Sequence, residues 1–153
     1  MSVAFRRESD EEHLEPKFEL PIPPGPNLVT ARGLALIEAR VAELEASLTG
    51  VEDPEAVAKI QRDLRYWTTR RITAELAPVA AGDKVELGTR VEVLLNGKPK
   101  TFEIVGDDEA EPAKGLISFN APLSRAMLGA EVGELLPFGG VAEAIEIVAI
   151  EAI

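Results

Sequence analysis

The chain of 153 residues has no cysteine, one histidine, one tryptophan and one tyrosine. Without cysteine there are no disulfides, no thiol nucleophile and no cysteine metal site. The single histidine, His13, sits in a polar N-terminal stretch, which argues against a histidine metal centre or a Ser-His triad. No apolar run approaches the roughly 18 residues needed to span a bilayer. No apolar stretch resembling a signal peptide opens the chain, so the expected location is the cytoplasm. Basic charge is also scarce: 16 Lys and Arg stand against 27 Asp and Glu. A net charge of −11 disfavours general affinity for phosphate backbones, because binding by counterion release needs a basic face.

The acidic excess is uneven. Residues 82–153 hold 13 acids against 6 bases, whereas residues 29–81 hold 8 against 7. The split points to protein binding rather than DNA reading. Residues 1–28 form a polar leader ending in Leu20-Pro21-Ile22-Pro23-Pro24-Gly25-Pro26-Asn27. Prolines at this density forbid a helix and disfavour a strand. The leader reads as a flexible arm, with Phe5 and Phe18 as the side chains able to touch a partner.

Thr30 is a good N-cap before a periodic run. Leu34, Ile37, Val41, Leu44 and Leu48 follow at alternating spacings of three and four, the seam of a coiled coil. Thr49-Gly50 ends the run. Asp53-Pro54-Glu55 opens a second helix, with Asp53 at the cap and Pro54 at the first helical position. Val57, Ile60, Leu64, Trp67 and Ala74 continue a seam through Leu76, interrupted once by Arg71, and Pro78 stops it. So short a connection implies an antiparallel hairpin over residues 29–80. A helix of about 19 residues reaches roughly 28 Å at 1.5 Å per residue. Lys59, Arg62, Arg65, Arg70 and Arg71 face Glu38, Glu43 and Glu45 as cross-helix ion pairs; alternatively, Arg62, Arg65 and Arg70 touch an acidic partner or RNA. Trp67 belongs to the seam, and Tyr66 lies off it.

From residue 81 the pattern changes to strands. Lys84–Leu87 is a short one. Arg90–Leu95 and Lys100–Val105 flank Asn96-Gly97, a strong hairpin signal. Gly115–Phe119 follows as a strand, Leu123–Leu128 as a helix and Ala142–Ile150 as a strand. The expected fold class is α+β: an N-terminal antiparallel coiled-coil hairpin, then a small sheet domain over 81–153.

One stretch is more specific than any period. Gly106-Asp107-Asp108-Glu109-Ala110 is followed by Leu116-Ile117-Ser118-Phe119-Asn120-Ala121-Pro122 and a short helix closed by Gly129. Together with Thr30-Ala31-Arg32-Gly33-Leu34, this resembles the Gre transcript-cleavage factors of bacterial RNA polymerase over residues 29–153. The resemblance implies an FKBP-like C-terminal domain docking at the rim of the polymerase secondary channel, with the hairpin entering it. Asn120 and Pro122 fall where the family contacts the rim, and Ala121 replaces the usual Ser. The same residues also read as a plain helix start, with Asn120 as the cap.

At the hairpin tip the family's cleavage-competent members carry a G-D-L-x-E-N-A-E-Y motif whose acids help hold Mg²⁺. Here Gly50-Val51-Glu52-Asp53-Pro54-Glu55 keeps the acidity but not the motif. Glu52, Asp53 and Glu55 are the candidate Mg-directed residues; Asp53 and Glu55 also read as a cap and a first-turn acid. The hairpin is about a dozen residues per helix shorter than the family's long form, roughly 18 Å less reach. The resulting expectation is an elongation regulator that is not itself an enzyme, a monomer without a cofactor. Its partner is core RNA polymerase, and it meets nucleic acid only through the transcription complex. The alternatives are a cleavage factor supplying tip carboxylates to the polymerase Mg, a prolyl isomerase suggested by the fold alone, and a plain coiled-coil interaction module.

Overall fold

The computed structural model describes residues 19–153. Phe5, His13 and Phe18, and most of the leader, lie outside the described residues. The chain is a mixed α+β protein, in the order β1 (Asn27–Val29), α1 (Ala31–Ser47), α2 (Pro54–Thr73), β2 (Ala74–Leu76), β3 (Thr89–Leu95), β4 (Lys98–Val105), β5 (Leu116–Ser118), α3 (Pro122–Met127), β6 (Leu135–Phe138) and β7 (Val141–Ala152). The described residues fall into two compact units, 19–25 with 37–73, and 26–36 with 74–153.

In the first unit the apolar seam of α1 is buried as its spacing predicts. Ile37, Val41 and Leu44 are all inaccessible or nearly so. The guanidinium of Arg40 lies 5.5 Å from the centre of the Trp67 ring, and Tyr66 meets Trp67 edge-on at 5.2 Å. The cap residues behave as expected. Asp53 Oδ2 accepts the Ala56 N–H at 3.0 Å, and Gly50 takes the left-handed conformation (φ +83°). The charges depart from expectation. Arg40 pairs with Glu43 on its own helix, and Lys59 and Arg62 pair with Asp63 on theirs. Arg65 clasps Glu19. Arg70, expected in an exposed pair or a partner contact, is only 2% exposed.

Helix α2 stops at Thr73, before the expected Ala74 and Leu76. Those residues form β2, which runs parallel to β1 in the register Asn27–Ala74, Leu28–Glu75 and Val29–Leu76. The Ala77 N–H extends the ladder to Val29 O at 2.9 Å. Both ends of the pair therefore differ from the sequence reading. Residues 27–28, assigned to the leader, and 74–80, assigned to the hairpin, belong to the second unit. Three-residue strands carry too little pattern to be seen in sequence; the helical segment between them supplies the long crossover that a parallel pair requires.

The second unit is built on a five-stranded sheet in the order β5-β4-β3-β7-β6, antiparallel except for β4 with β5. Asn96 (φ +51°) and Gly97 (φ +81°) make the β3–β4 turn, both in the left-handed region that a two-residue hairpin of this hand demands. One face of the sheet carries Val91, Val93, Ile104, Ile117, Ile145 and Ile147, packed with Met127 of α3. A bulge opposite Glu92 and Val93 interrupts the β3–β7 register and leaves Val148 facing out, 44% exposed. No strand forms at Lys84–Leu87. Val85 is held instead by two bonds to the loop after α3, from its N–H to Ala130 O and from the Gly129 N–H to its carbonyl, each 2.8 Å. The edge strand β6 went unrecognised in sequence; its Pro137 and its break in register beside Phe138 obscure the alternation.

The two sheets meet at Gly106. A Cβ there would lie 2.5 Å from the carbonyl oxygen of Leu28 in β1, a backbone atom that cannot yield. Gly106→Ala is expected to cost about 1–3 kcal/mol by overpacking, read as a lower urea midpoint with an unchanged m-value.

Candidate functional site

Strand β4 ends at Val105, and after Gly106 comes a single 3₁₀ turn, Asp107–Glu109. The turn places two carboxylates on different neighbours. Asp107 faces the loop before α3. Its Oδ1 accepts the Ser118 hydroxyl at 2.6 Å, and both its oxygens lie 3.3 Å from the Asn120 Nδ2. Ser118 Oγ in turn accepts the Asn120 backbone N–H at 3.0 Å. The Ala121 N–H closes the turn onto Ser118 O at 2.9 Å. Ala121, preceding a proline, is confined to extended backbone (φ −66°, ψ 148°), and Pro122 is the exposed first residue of α3. Asn120 is therefore not the helix cap. The cap position is Ala121, which has no side chain to cap with, and the Asn120 amide points to Asp107. Asn120 and Pro122 share one turn, held by these hydrogen bonds.

Glu109 faces the start of α1 and is 5% exposed. Oε1 accepts the Thr30 hydroxyl at 2.6 Å, and Oε2 is paired with Arg32 Nε. The Thr30 Oγ1 also accepts the Gly33 N–H at 2.9 Å, so one hydroxyl both caps the helix and binds the carboxylate. Gly33 lacks a side chain for the same reason: a Cβ would stand 2.8 Å from Glu109 Oε1. Arg32 continues to Glu103 at 2.8 Å, Glu103 to Arg90 at 3.0 Å, and Arg90 to Glu151 at 2.7 Å. The chain of charges thus crosses β4, β3 and β7. Asp107 and Glu109 lie in the 106–110 run and Ser118 in the 116–122 run, and the sequence marks none of them as a site residue. Their shared acid and hydroxyl chemistry was visible; their pairing needs the fold.

The tip residues Glu52, Asp53 and Glu55 are all exposed. Asp53 is occupied as the cap of α2. Glu52 and Glu55 have no ion-pair partner among the described residues. There, no group of three or more acidic or histidine side chains is arranged to hold a metal ion, and no helix is long and apolar enough to cross a membrane. The aromatics that a prolyl isomerase pocket would use, Phe102, Phe119 and Phe138, pack against the core instead.

Residues 80–152 match the family described as "Transcription elongation factor, GreA/GreB, C-term". Residues 80–152 thus carry a domain of the GreA/GreB C-terminal type. Transcription elongation factor GreA of Thioalkalivibrio sulfidiphilus is 32% identical over 102 residues, covering 65% of this chain and 52% of that protein. GreA of Desulfovibrio desulfuricans is 46% identical over 56 residues, 35% of each chain. This chain thus spans about half, or less, of the relatives it matches. The crystal structure of GreA factor homolog 1 of Thermus thermophilus covers 84% of this chain and 100% of its own at 20% identity, with a TM-score of 0.40. So loose a superposition adds nothing to the assignment. The match does correct one expectation, that the chain is not itself an enzyme. Its relatives are GreA factors, which stimulate RNA cleavage, a hydrolase-like activity in which the polymerase performs the catalysis.

The charge chain sets a pH dependence. The Arg32 guanidinium, and less strongly that of Arg90, holds the Glu103 carboxyl below its ordinary value of 4.5, against the opposing effect of burial. A carboxylate depressed in the folded state stabilises fully above its unfolded pKa and loses that contribution as pH falls through the folded one. The melting temperature is therefore expected to fall below about pH 4.5, and Glu103→Gln to flatten that slope. Arg32→Ala strips the buried Glu109 of its ion-pair partner, but the Arg32 side chain is itself 57% exposed and water can take its place, so the expected cost is about 1–3 kcal/mol, measured by urea unfolding at pH 7.

Proposed function

We propose that this protein is an RNA polymerase-associated transcription elongation factor that docks through its C-terminal domain. In this reading the domain has FKBP-like topology, and Asn120 and Pro122 contact the rim of the secondary channel. Helices α1 and α2 form the antiparallel hairpin that enters the channel with Glu52, Asp53 and Glu55 at its tip. The observation that carries the proposal is the turn from Ser118 to Pro122. It is held by hydrogen bonds to Asp107 and within itself and ends on an exposed proline, inside the segment matched by the family. A polar side chain beside a rigid proline on a fixed turn binds with little ordering cost. Contact with nucleic acid then comes through the transcription complex, and the factor acts as a monomer.

Pull-down of purified bacterial core polymerase tests this. The full chain is expected to bind, and Asn120→Ala with Pro122→Ala to weaken binding at least about tenfold, as for truncated interface anchors. Failure of the full chain to bind core enzyme contradicts the proposal.

A second reading concerns the tip. Glu52 and Glu55 are exposed and without ion-pair partners among the described residues, as carboxylates offered to an external cation would be. With 17 and 20 residues, the helices extend roughly 26 and 30 Å. RNA release from a stalled, backtracked complex is expected to quicken with the protein and to lose that gain in Glu52→Ala with Asp53→Ala. Stimulation that survives the double substitution removes the tip from the mechanism.

A further inference from the structure

We infer that Asp107 is the positioning residue of the docking turn: it selects asparagine at position 120 and dictates what the partner must offer there. The inference rests on the docking reading above. An ionised carboxylate is acceptor-only. Both Asp107 oxygens lie 3.3 Å from the Asn120 Nδ2, so the amide must present its NH₂ to them and its carbonyl away from them. The bond from the Ser118 hydroxyl at 2.6 Å, and that hydroxyl's acceptance of the Asn120 N–H at 3.0 Å, hold the side chain and the backbone of residue 120 in one closed ring. With the Asn120 NH₂ turned toward Asp107, the side of the amide turned away from it is the Oδ1, an acceptor. The surface that binds here therefore supplies a hydrogen-bond donor, an N–H or a cationic side chain, and not a carboxylate.

The same geometry excludes aspartate at 120 while Asp107 is present. Two carboxylates at the observed spacing repel, and the only remedies are protonation of one or rotation of side chain 120 out of the ring. Aspartate at 120 becomes acceptable once position 107 carries an amide that can donate to it. The two positions form a specificity pair, 13 residues apart in sequence, with Ser118 as the bridge.

The test compares binding of purified core polymerase to the full chain and to Asn120→Ala, Asn120→Asp, Asp107→Asn, and Asp107→Asn with Asn120→Asp, with each variant's melting temperature recorded. Asn120→Asp is expected to weaken binding about tenfold or more, in keeping with the loss of a preorganised contact facing a like charge. Adding Asp107→Asn is expected to recover most of that loss, which a merely structural defect at either site would not do. Recovery in the double variant with melting temperatures near the parent's supports the pair. Equal weakening of the single and double variants overturns it, as does an Asn120→Asp chain that binds as well as the parent. If Asn120→Ala binds unchanged, residue 120 is not a contact and the inference falls while polymerase binding stands. If the parent chain itself does not bind, the proposed function falls and the inference with it.

Discussion

The buried carboxylate of Glu109 is the interaction on which the rest of the second unit's arrangement depends. A nearly inaccessible acid is stable only if its charge is answered, and here Thr30 and Arg32 answer it from the first turn of α1. The requirement reaches outward in both directions. A Cβ at Gly33 would stand 2.8 Å from the carboxylate and force the Glu109 side chain to shift, and a Cβ at Gly106 would meet the backbone carbonyl of Leu28 in β1 at 2.5 Å. Arg32 is drawn into the charge chain that runs through Glu103 and Arg90 to Glu151, so the helix start is tied to three strands of the sheet.

One three-residue turn does both jobs. Glu109 fixes the start of α1, and Asp107, two residues earlier, fixes the loop that leads into α3. The alternation follows from the tight 3₁₀ geometry, which throws neighbouring side chains in different directions over a span of a few ångströms. This gives a physical reason for the dense acidity of residues 107–109 in a chain that already carries excess negative charge. Two of those acids are spent on hydrogen bonds inside the domain rather than on solvation.

Much of the fold was legible in the sequence because it rests on local signals. Alternating apolar residues gave β3, β4 and the long β7; Asn96-Gly97 gave the turn; the three-four spacing of Ile37, Val41 and Leu44 gave the buried face of α1; Thr30 and Asp53 gave the caps. What stayed hidden was non-local. The β1–β2 pair unites residues 47 positions apart through strands too short to show a period. Arg70 reads as a surface cation, and nothing in its neighbours along the chain reveals its burial. Asn120 and Pro122 stood out through family resemblance, but the orientation of the Asn120 amide depends on Asp107, which only the fold brings to it. Of the tip acids, Asp53 is taken up as the cap of α2, while Glu52 and Glu55 stay exposed.

The most direct test of the account is native-state hydrogen exchange on the full chain and on Glu109→Gln. If the Glu109 charge anchors the helix start, the amides of Gly33 and Leu34, which bond to Thr30, lose protection in the variant while those of Val91 and Val93 in the sheet centre keep theirs. Unchanged exchange at Gly33 and Leu34, or a uniform loss across both segments, would contradict it.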